Sequence, residues 1–341
     1  MDPPTTRLGS PLQPARRVFF VCSIPLLALV LLGCGGPSEP GPDLSSATYG
    51  DAFWKAWGDG NAELSTYDLT YVRYGEPRQG LAVAIFVTET FAVDPRVKSE
   101  DPRRAAADTF PVLKLNLVQD FATGIYDYNV MTSAFVALAD SRAGGAGRPT
   151  KLSFSSQEWC GQVYSQLVMD TDSARFVGHS YFDGEADAAA TIDWPRDGVA
   201  EDTLLVWARG LAAPLLQPGE ERSVPLLRSL EVSRMEHHPL RWEPAMLSRA
   251  SMTERIEVPA GQFEVVRYDA RVAAPGGEPG RHWTFWVEVP PPQRVVVWER
   301  ERGARAELVA SRRLPYWKLN GTDGVRHLAE LGLEPRPPRT P

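Results

Sequence analysis

Between residues 62 and 312, apolar and polar residues alternate over about a dozen short segments separated by turn residues. Alternation with a period of two is typical of a strand that buries one face. The segment His282–Val289 shows this well, because Trp283 and Phe285 share one face while Trp286 lies on the other. A content of 30 prolines disfavours long helices. The pattern predicts a mainly β chain whose antiparallel sheets form a sandwich or an open half-barrel, with two or three short helices.

Residues 140–150 form the clearest internal break, because they are rich in glycine and lie between two strand patterns. This break is either a long hairpin loop or a linker. The chain therefore has either an N-terminal β region (47–139) and a C-terminal β region (151–318) or one continuous domain over 47–318. A C-terminal tail with a short helix follows at 319–341.

Two short segments inside the C-terminal region receive different predictions. Residues 202–212 have apolar side chains at helical spacing, with Asp202 as a possible N-cap and Pro214 beyond the end. Residues 229–235 resemble the neighbouring strands and are predicted to be a strand.

The sequence Gly75–Gly80 is predicted to be the turn of the first hairpin.

The N-terminus has the pattern of an export signal. Arg7, Arg16 and Arg17 precede an uncharged apolar run from Val18 to Leu32. Such a run is too short to cross a bilayer as an ordinary helix, which needs roughly 20 apolar residues, and it matches the apolar core of a signal peptide. Arg16 and Arg17 also resemble a twin-arginine signal, so the export route stays open between that pathway and the general secretory pathway.

The apolar run ends in Leu31-Leu32-Gly33-Cys34, which resembles the lipobox of bacterial lipoproteins. The resemblance implies a signal peptide over 1–33, acylation of Cys34 with fatty acids such as palmitate, and a flexible tether over 34–46. It also implies a membrane-anchored envelope protein. The Gly at position 35, in place of the Asp that resembles an inner-membrane retention signal, favours the outer membrane with the protein facing the periplasm.

Charge and cysteine content exclude several classes of protein. The chain has 43 acidic and 36 basic residues and a net charge of −7, which disfavours a nucleic-acid binder. Three cysteines are too few for a disulfide scaffold. No phosphate loop, dinucleotide-binding motif or zinc-protease motif occurs, so neither a cofactor nor a metal is predicted. The adjacent residues His237 and His238 are predicted to lie in a solvated loop.

The remaining candidate site residues are one thiol and four tryptophans. After acylation of Cys34, Cys160 is the only free thiol, and it is either a structural cysteine or the nucleophile of a thiol-dependent hydrolase or transferase. Aromatic residues on both faces of some strands suggest either exposed tryptophans or a groove for an apolar ligand. The groove hypothesis has weak candidates, which are Trp159, Trp207, Trp283 and Trp286.

Blocks spread over residues 53–318 resemble a family of uncharacterised bacterial lipoproteins. The blocks are Trp54–Trp57, Gly60–Tyr67, Arg73–Glu76, Ile85–Glu89, Val112–Asn116, Thr123–Tyr126, Met131–Ser133, Gln157–Gly161 and Pro315–Lys318. Members have often been labelled septum formation inhibitor Maf, but Maf enzymes have an α/β fold and a Ser-x-Arg-Arg-type motif near the N-terminus. Here Ser311-Arg312-Arg313 lies near the C-terminus, so that activity does not carry over.

The C-terminal part is similar to a periplasmic β-rich family of unknown function, through residues Val258–Phe263, Trp283–Val289 and Val295–Glu299. That family resembles folds that hold lipids or apolar ligands between a curved sheet and a helix. This resemblance favours the groove hypothesis. The lipobox, the aromatic strands and the lack of a catalytic motif predict a non-enzymatic lipoprotein that binds an apolar or envelope ligand or scaffolds envelope proteins. Its expected partners are the membrane, through the lipid on Cys34, a lipid or apolar ligand, and other envelope proteins.

Overall fold

The computed structural model describes residues 49–273 and 280–335. The predicted signal peptide, Cys34 and the tether lie outside these residues. The strands are β1 (Ala62–Arg73), β2 (Glu76–Ala92), β3 (Thr109–Thr123), β4 (Tyr126–Ala137), β5 (Pro149–Glu158), β6 (Gly161–Met169), β7 (Ser173–Ser180), β8 (Ala188–Asp193), β9 (Val199–Ala200), β10 (Glu221–Leu227), β11 (Trp242–Val258), β12 (Gly261–Val272), β13 (Arg281–Glu288), β14 (Val295–Arg300) and β15 (Ala304–Leu314). The helices are α1 (Asp51–Trp57), α2 (Leu204–Ala208) and α3 (Leu230–Met235), with 3₁₀ turns at Ala106–Asp108, Glu201–Thr203, Tyr316–Lys318, Thr322–His327 and Ala329–Leu331.

All 15 strands belong to one open sheet, in the order β8-β7-β6-β5-β4-β3-β2-β1-β15-β14-β13-β12-β11-β10-β9. The sheet is mixed, because β9 runs parallel to β10 while the other neighbours are antiparallel. The prediction of antiparallel sheets forming a sandwich or an open half-barrel is therefore wrong, although the chain is mainly β. Strand periodicity shows which residues share a face, but it does not show whether the strands form one sheet or two.

Strand β1 joins the two halves of the sheet. It pairs with β2 on one side through a two-residue turn and with β15 on the other, where Tyr67 lies opposite Leu308. The turn consists of Tyr74 and Gly75, both with positive φ, and such backbone is typical of tight hairpins. Gly75–Gly80 was predicted to be the turn, but residues 76–80 already belong to β2.

The strands on either side of residues 140–150, β4 and β5, are also direct neighbours.

The segment between β9 and β10, which contains α2, forms an inner segment that packs on one face of the sheet, the inner face. All five residues of α2 are buried, and they share one hydrophobic cluster with residues from both halves of the sheet, such as Leu113 on β3 and Phe285 on β13. Burying this much apolar surface is the main contribution that favours the folded state. The predicted helix 202–212 is shorter than expected, because a 3₁₀ turn precedes α2 and the helix ends at Ala208.

A buried ion pair ties this inner segment to the sheet. Arg209, directly after α2, donates to Glu63 on β1 through Nη1 (2.7 Å) and Nη2 (3.0 Å). Its Nε and Nη2 also donate to the carbonyls of Gln293 (2.9 Å) and Pro292 (2.8 Å). Both charged side chains are almost completely buried, at 0% and 2% exposure. A buried charge is tolerated when its hydrogen bonds are satisfied in this way.

The predicted strand 229–235 is the helix α3, and its first turn explains the error. The backbone N–H of Ser229 donates to Glu201 (3.0 Å), that of Leu230 donates to Asp202 (3.2 Å), and that of Val232 donates to the Ser229 hydroxyl (2.9 Å). Three side chains thus satisfy the amides that a helix start leaves free. Asp202 was predicted to cap its own helix, but it supports the start of α3 instead.

Candidate functional site

A cleft of about 450 Å³ lies between α3 and the inner face of β6 and β7. Small residues create the space, because Ser165 on β6 lies opposite Gly178 on β7. A Cβ at position 178 would meet only the ring of Phe176, at 3.1 Å, so the side-chain volume missing at this position faces the cleft. The cleft wall is completed by the loop after β7 and the loop after α3. We call this space the α3 cleft.

Apolar atoms form most of the wall of the α3 cleft, although polar residues line it as well. The apolar side chains come from β6, β7, β8, α3 and the loop after α3, and they include Val163, Phe176, Ala188, Leu230 and Leu240. The volume falls in the range of about 300–1,000 Å³ that is typical of small-molecule sites, which combine an apolar wall with a few polar groups. The cleft therefore has the size and character of a ligand site.

The polar groups of the cleft are concentrated around Arg234. Its side chain is only 8% exposed, and its Nε lies 3.4 Å from Glu185 Oε2, in the loop between β7 and β8. The guanidinium also lies over the ring of Phe182, with 4.2 Å from Cζ to the ring centroid. Glu185 has a second partner, because its Oε1 lies 2.7 Å from Nδ1 of the exposed His237. Glu185 thus joins the β7–β8 loop to α3 and the residues that follow it.

The acidic residues next to the start of α3 have an unusual electrostatic environment. Burial, with smaller contributions from Glu201 and Glu231, raises the pKa of Asp202 to about 8. Glu201 instead receives two hydrogen bonds from Arg281, at 2.9 and 2.8 Å. Arg281 also donates to Glu243, and hydrogen bonds from Arg281 and Arg228 outweigh the effect of burial and lower the pKa of Glu243 to about 2. Arg281 thus holds Glu201 in place, and Glu201 and Asp202 accept from the backbone amides at the start of α3. The helix α3 forms one wall of the cleft.

The aromatic interior of the sheet leaves little free space. A cavity of only about 40 Å³ lies among Leu117, Thr132, Asp202, Trp283 and Trp298. That volume holds a water molecule but no lipid chain. The inner segment thus fills the space where an apolar ligand could otherwise lie between the two halves of the sheet.

The four predicted tryptophans do not converge on one site. Trp207 is buried on α2 and donates to the Pro214 carbonyl (2.9 Å), and Trp283 donates to Glu201 (2.6 Å). Both rings pack near Phe285, with centroid separations of 6.4 and 6.0 Å. Trp286 lies on the opposite face, where it donates to Glu254 (2.8 Å). Trp159 is 74% exposed in the turn between β5 and β6.

Cys160 follows Trp159 in this turn and is exposed. Within residues 49–273 and 280–335, no histidine forms a hydrogen bond with it. His179, His282 and His327 each contact a carboxylate instead, at 2.8, 2.8 and 2.7 Å. The geometry therefore adds no support to the thiol-enzyme hypothesis.

The described part of the chain contains neither a metal-binding cluster nor a membrane-spanning helix. No group of three or more His, Cys, Asp or Glu side chains in residues 49–273 and 280–335 is arranged to hold a metal ion. In the same part of the chain, no helix is both long enough and apolar enough to span a membrane.

Sequence reasoning missed Arg234 and Glu185, the two charged residues at the centre of the α3 cleft. Arg234 lay inside a segment predicted to be a strand, and Glu185 lay in a segment without a prediction. The signal that could have found α3 was Ser229 followed by an acidic residue, Glu231, in the first helical turn. No comparable local signal identifies Glu185, because its role depends on contacts with residues about 50 positions away.

Comparisons with known proteins give little further information. No protein-family model and no curated protein matches the chain. One solved structure, from Bacteroides fragilis, is described as a presumed exported protein with a YmcC-like fold. It is 11% identical over 73% of this chain and 95% of its own, with a TM-score of 0.22. At that TM-score the likeness supports no conclusion about fold or function.

Proposed function

We propose that the protein is a non-enzymatic lipoprotein of the bacterial envelope that binds a small apolar or amphipathic ligand in the α3 cleft. The observation that carries the proposal is the cleft itself, with its volume of about 450 Å³ and its largely apolar wall. The cavity of about 40 Å³ among the aromatic residues is too small for a lipid chain, which supports a ligand site beside β6 and β7 rather than along the middle of the sheet.

The envelope location rests on the sequence before residue 49. An uncharged run followed by Leu31-Leu32-Gly33-Cys34 supports export and acylation of Cys34. The anchor would then be the lipid on Cys34, in the outer membrane and facing the periplasm. Mass spectrometry of the mature N-terminus should find an acylated Cys34, and Cys34→Ser should abolish both acylation and membrane retention. An unmodified Cys34 in the membrane-bound protein would refute this part of the proposal.

Photo-crosslinking of the full-length protein in membranes tests the ligand site. A diazirine derivative of dodecanol should label peptides from β6, β7 and α3, and unlabelled dodecanol should compete. Gly178→Leu should reduce labelling, because the new side chain fills the cleft beside Phe176. Val177→Leu, on the opposite face of the same strand, should leave labelling unchanged. Labelling elsewhere with none in the cleft would refute the proposed function.

A further inference from the structure

The last turn of α3 carries polar atoms that have no partner among the described residues. Ser233 Oγ and the Nε and Nη1 atoms of Arg234 are buried without a hydrogen bond, and both side chains line the α3 cleft. Buried polar atoms are normally hydrogen-bonded, and a buried cation with free donors is costly. Protein atoms cover these donors in the structure, and a head group that displaces Glu185 can supply the acceptors that they lack.

Arg234 differs in this respect from other buried arginines of the chain. Arg209 donates four hydrogen bonds and Arg281 donates three, all to carboxylate or carbonyl oxygens. Arg234 makes no hydrogen bond with any residue that the structure describes. Its charge is neutralised by Glu185 at 3.4 Å, but the geometry of that pair is not that of a hydrogen bond. The Nε and Nη1 donors of Arg234 are therefore not hydrogen-bonded to Glu185, and an anion that takes the place of Glu185 can accept from them.

We propose that the ligand of the α3 cleft has a single anionic head group, either a carboxylate or a phosphate monoester, that Arg234 and Ser233 bind. This inference rests on the proposed function, because the apolar wall holds the ligand's tail. Guanidinium groups bind both head groups through paired N–H donors, and the serine hydroxyl supplies one more.

Glu185 is then the counter-ion of Arg234 that the ligand's head group replaces. In the structure its carboxylate neutralises Arg234, so the empty cleft contains no unpaired charge. When the ligand's head group takes this position, Glu185 keeps its contact with the exposed His237 at the mouth of the cleft. The exchange leaves one anion beside Arg234 before and after binding, which avoids the cost of burying an uncompensated charge.

Three diazirine probes with the same tail test the inference on the full-length protein in membranes: dodecanoate, dodecyl phosphate and dodecanol. Arg234→Gln should raise the half-saturating concentration of at least one anionic probe by about tenfold or more, which is the typical loss for a charged hydrogen-bond donor. It should change that of dodecanol by less than about twofold. The anionic probe that responds identifies the head group. Glu185→Gln should lower the half-saturating concentration of that probe.

Arg302→Gln is the matched control, because Arg302 is 74% exposed and outside the cleft. If Arg234→Gln fails to fold, Ser233→Ala and Glu185→Gln provide the same test in opposite directions. Equal labelling by all three probes, unaffected by these variants, would overturn the head-group inference while leaving the proposed function intact. Absence of cleft labelling by every probe would instead overturn the proposed function.

Discussion

The buried pair of Arg209 and Glu63 allows a quantitative prediction. Arg209→Met keeps an unbranched apolar stem but removes four donated hydrogen bonds, two of them to Glu63. The carboxylate of Glu63 would remain in the interior, where the residue is only 1% exposed, with its main partner gone. Breaking a buried ion pair from one side costs about 3–5 kcal/mol in the free energy of unfolding. We expect a loss in this range.

Urea unfolding curves, monitored by tryptophan fluorescence, measure the loss in the free energy of unfolding. A double-mutant cycle shows the cause of that loss. Adding Glu63→Gln to Arg209→Met removes the unpaired charge, so the double variant should be more stable than the sum of the single losses by about 2 kcal/mol. Arg302→Met removes an exposed charge and should change stability by less than about 0.5 kcal/mol. A loss below about 1 kcal/mol for Arg209→Met, or strict additivity in the cycle, would refute the reasoning.

Three further predictions concern the α3 region and the free thiol. Because folding raises the pKa of Asp202 to about 8, folding favours its protonated form, and the free energy of unfolding should fall as pH rises from about 4 to 8. Asp202→Asn should flatten this fall in denaturation curves, and an unchanged slope would contradict the burial argument. Ser229→Ala should lower stability by about 1 kcal/mol through loss of the cap, whereas Ser229→Asp should retain most of it. Iodoacetamide should modify Cys160 in the native protein without denaturant, as mass spectrometry can check, and protection would contradict its exposure.

Local strand patterns could be predicted from the sequence. The segments around β3, β4, β5, β6, β13 and β15 have clear alternation, and the structure contains a strand at each. Trp283 and Phe285 share a face, and Trp286 lies on the other, as the alternation predicts. These features depend on neighbours in sequence, which is why a single sequence contains them.

The arrangement of the strands and the cleft could not be predicted in the same way. The contacts of Glu201 and Asp202 with the amides of residues 229 and 230 make α3 a helix, and those partners are 28 positions apart. The short strands β8 and β9 have no clear alternation that sets them apart from loops. The cleft depends on a small residue on each of two strands and on a short helix whose start is held by side chains from a distant segment.

The central position of β1 affects the order in which the sheet is completed. One neighbour of β1 follows directly in the chain, but the other, β15, begins more than 230 residues after β1 starts. Long-range pairing of this kind forms slowly, because a large loop must close first. Until β15 docks, one side of β1 is an open strand edge, which is a template for aggregation. During synthesis, β1 is made before β15, so this edge of β1 stays unpaired until β15 has been made. Covering the free edge of β1 during that interval should reduce aggregation.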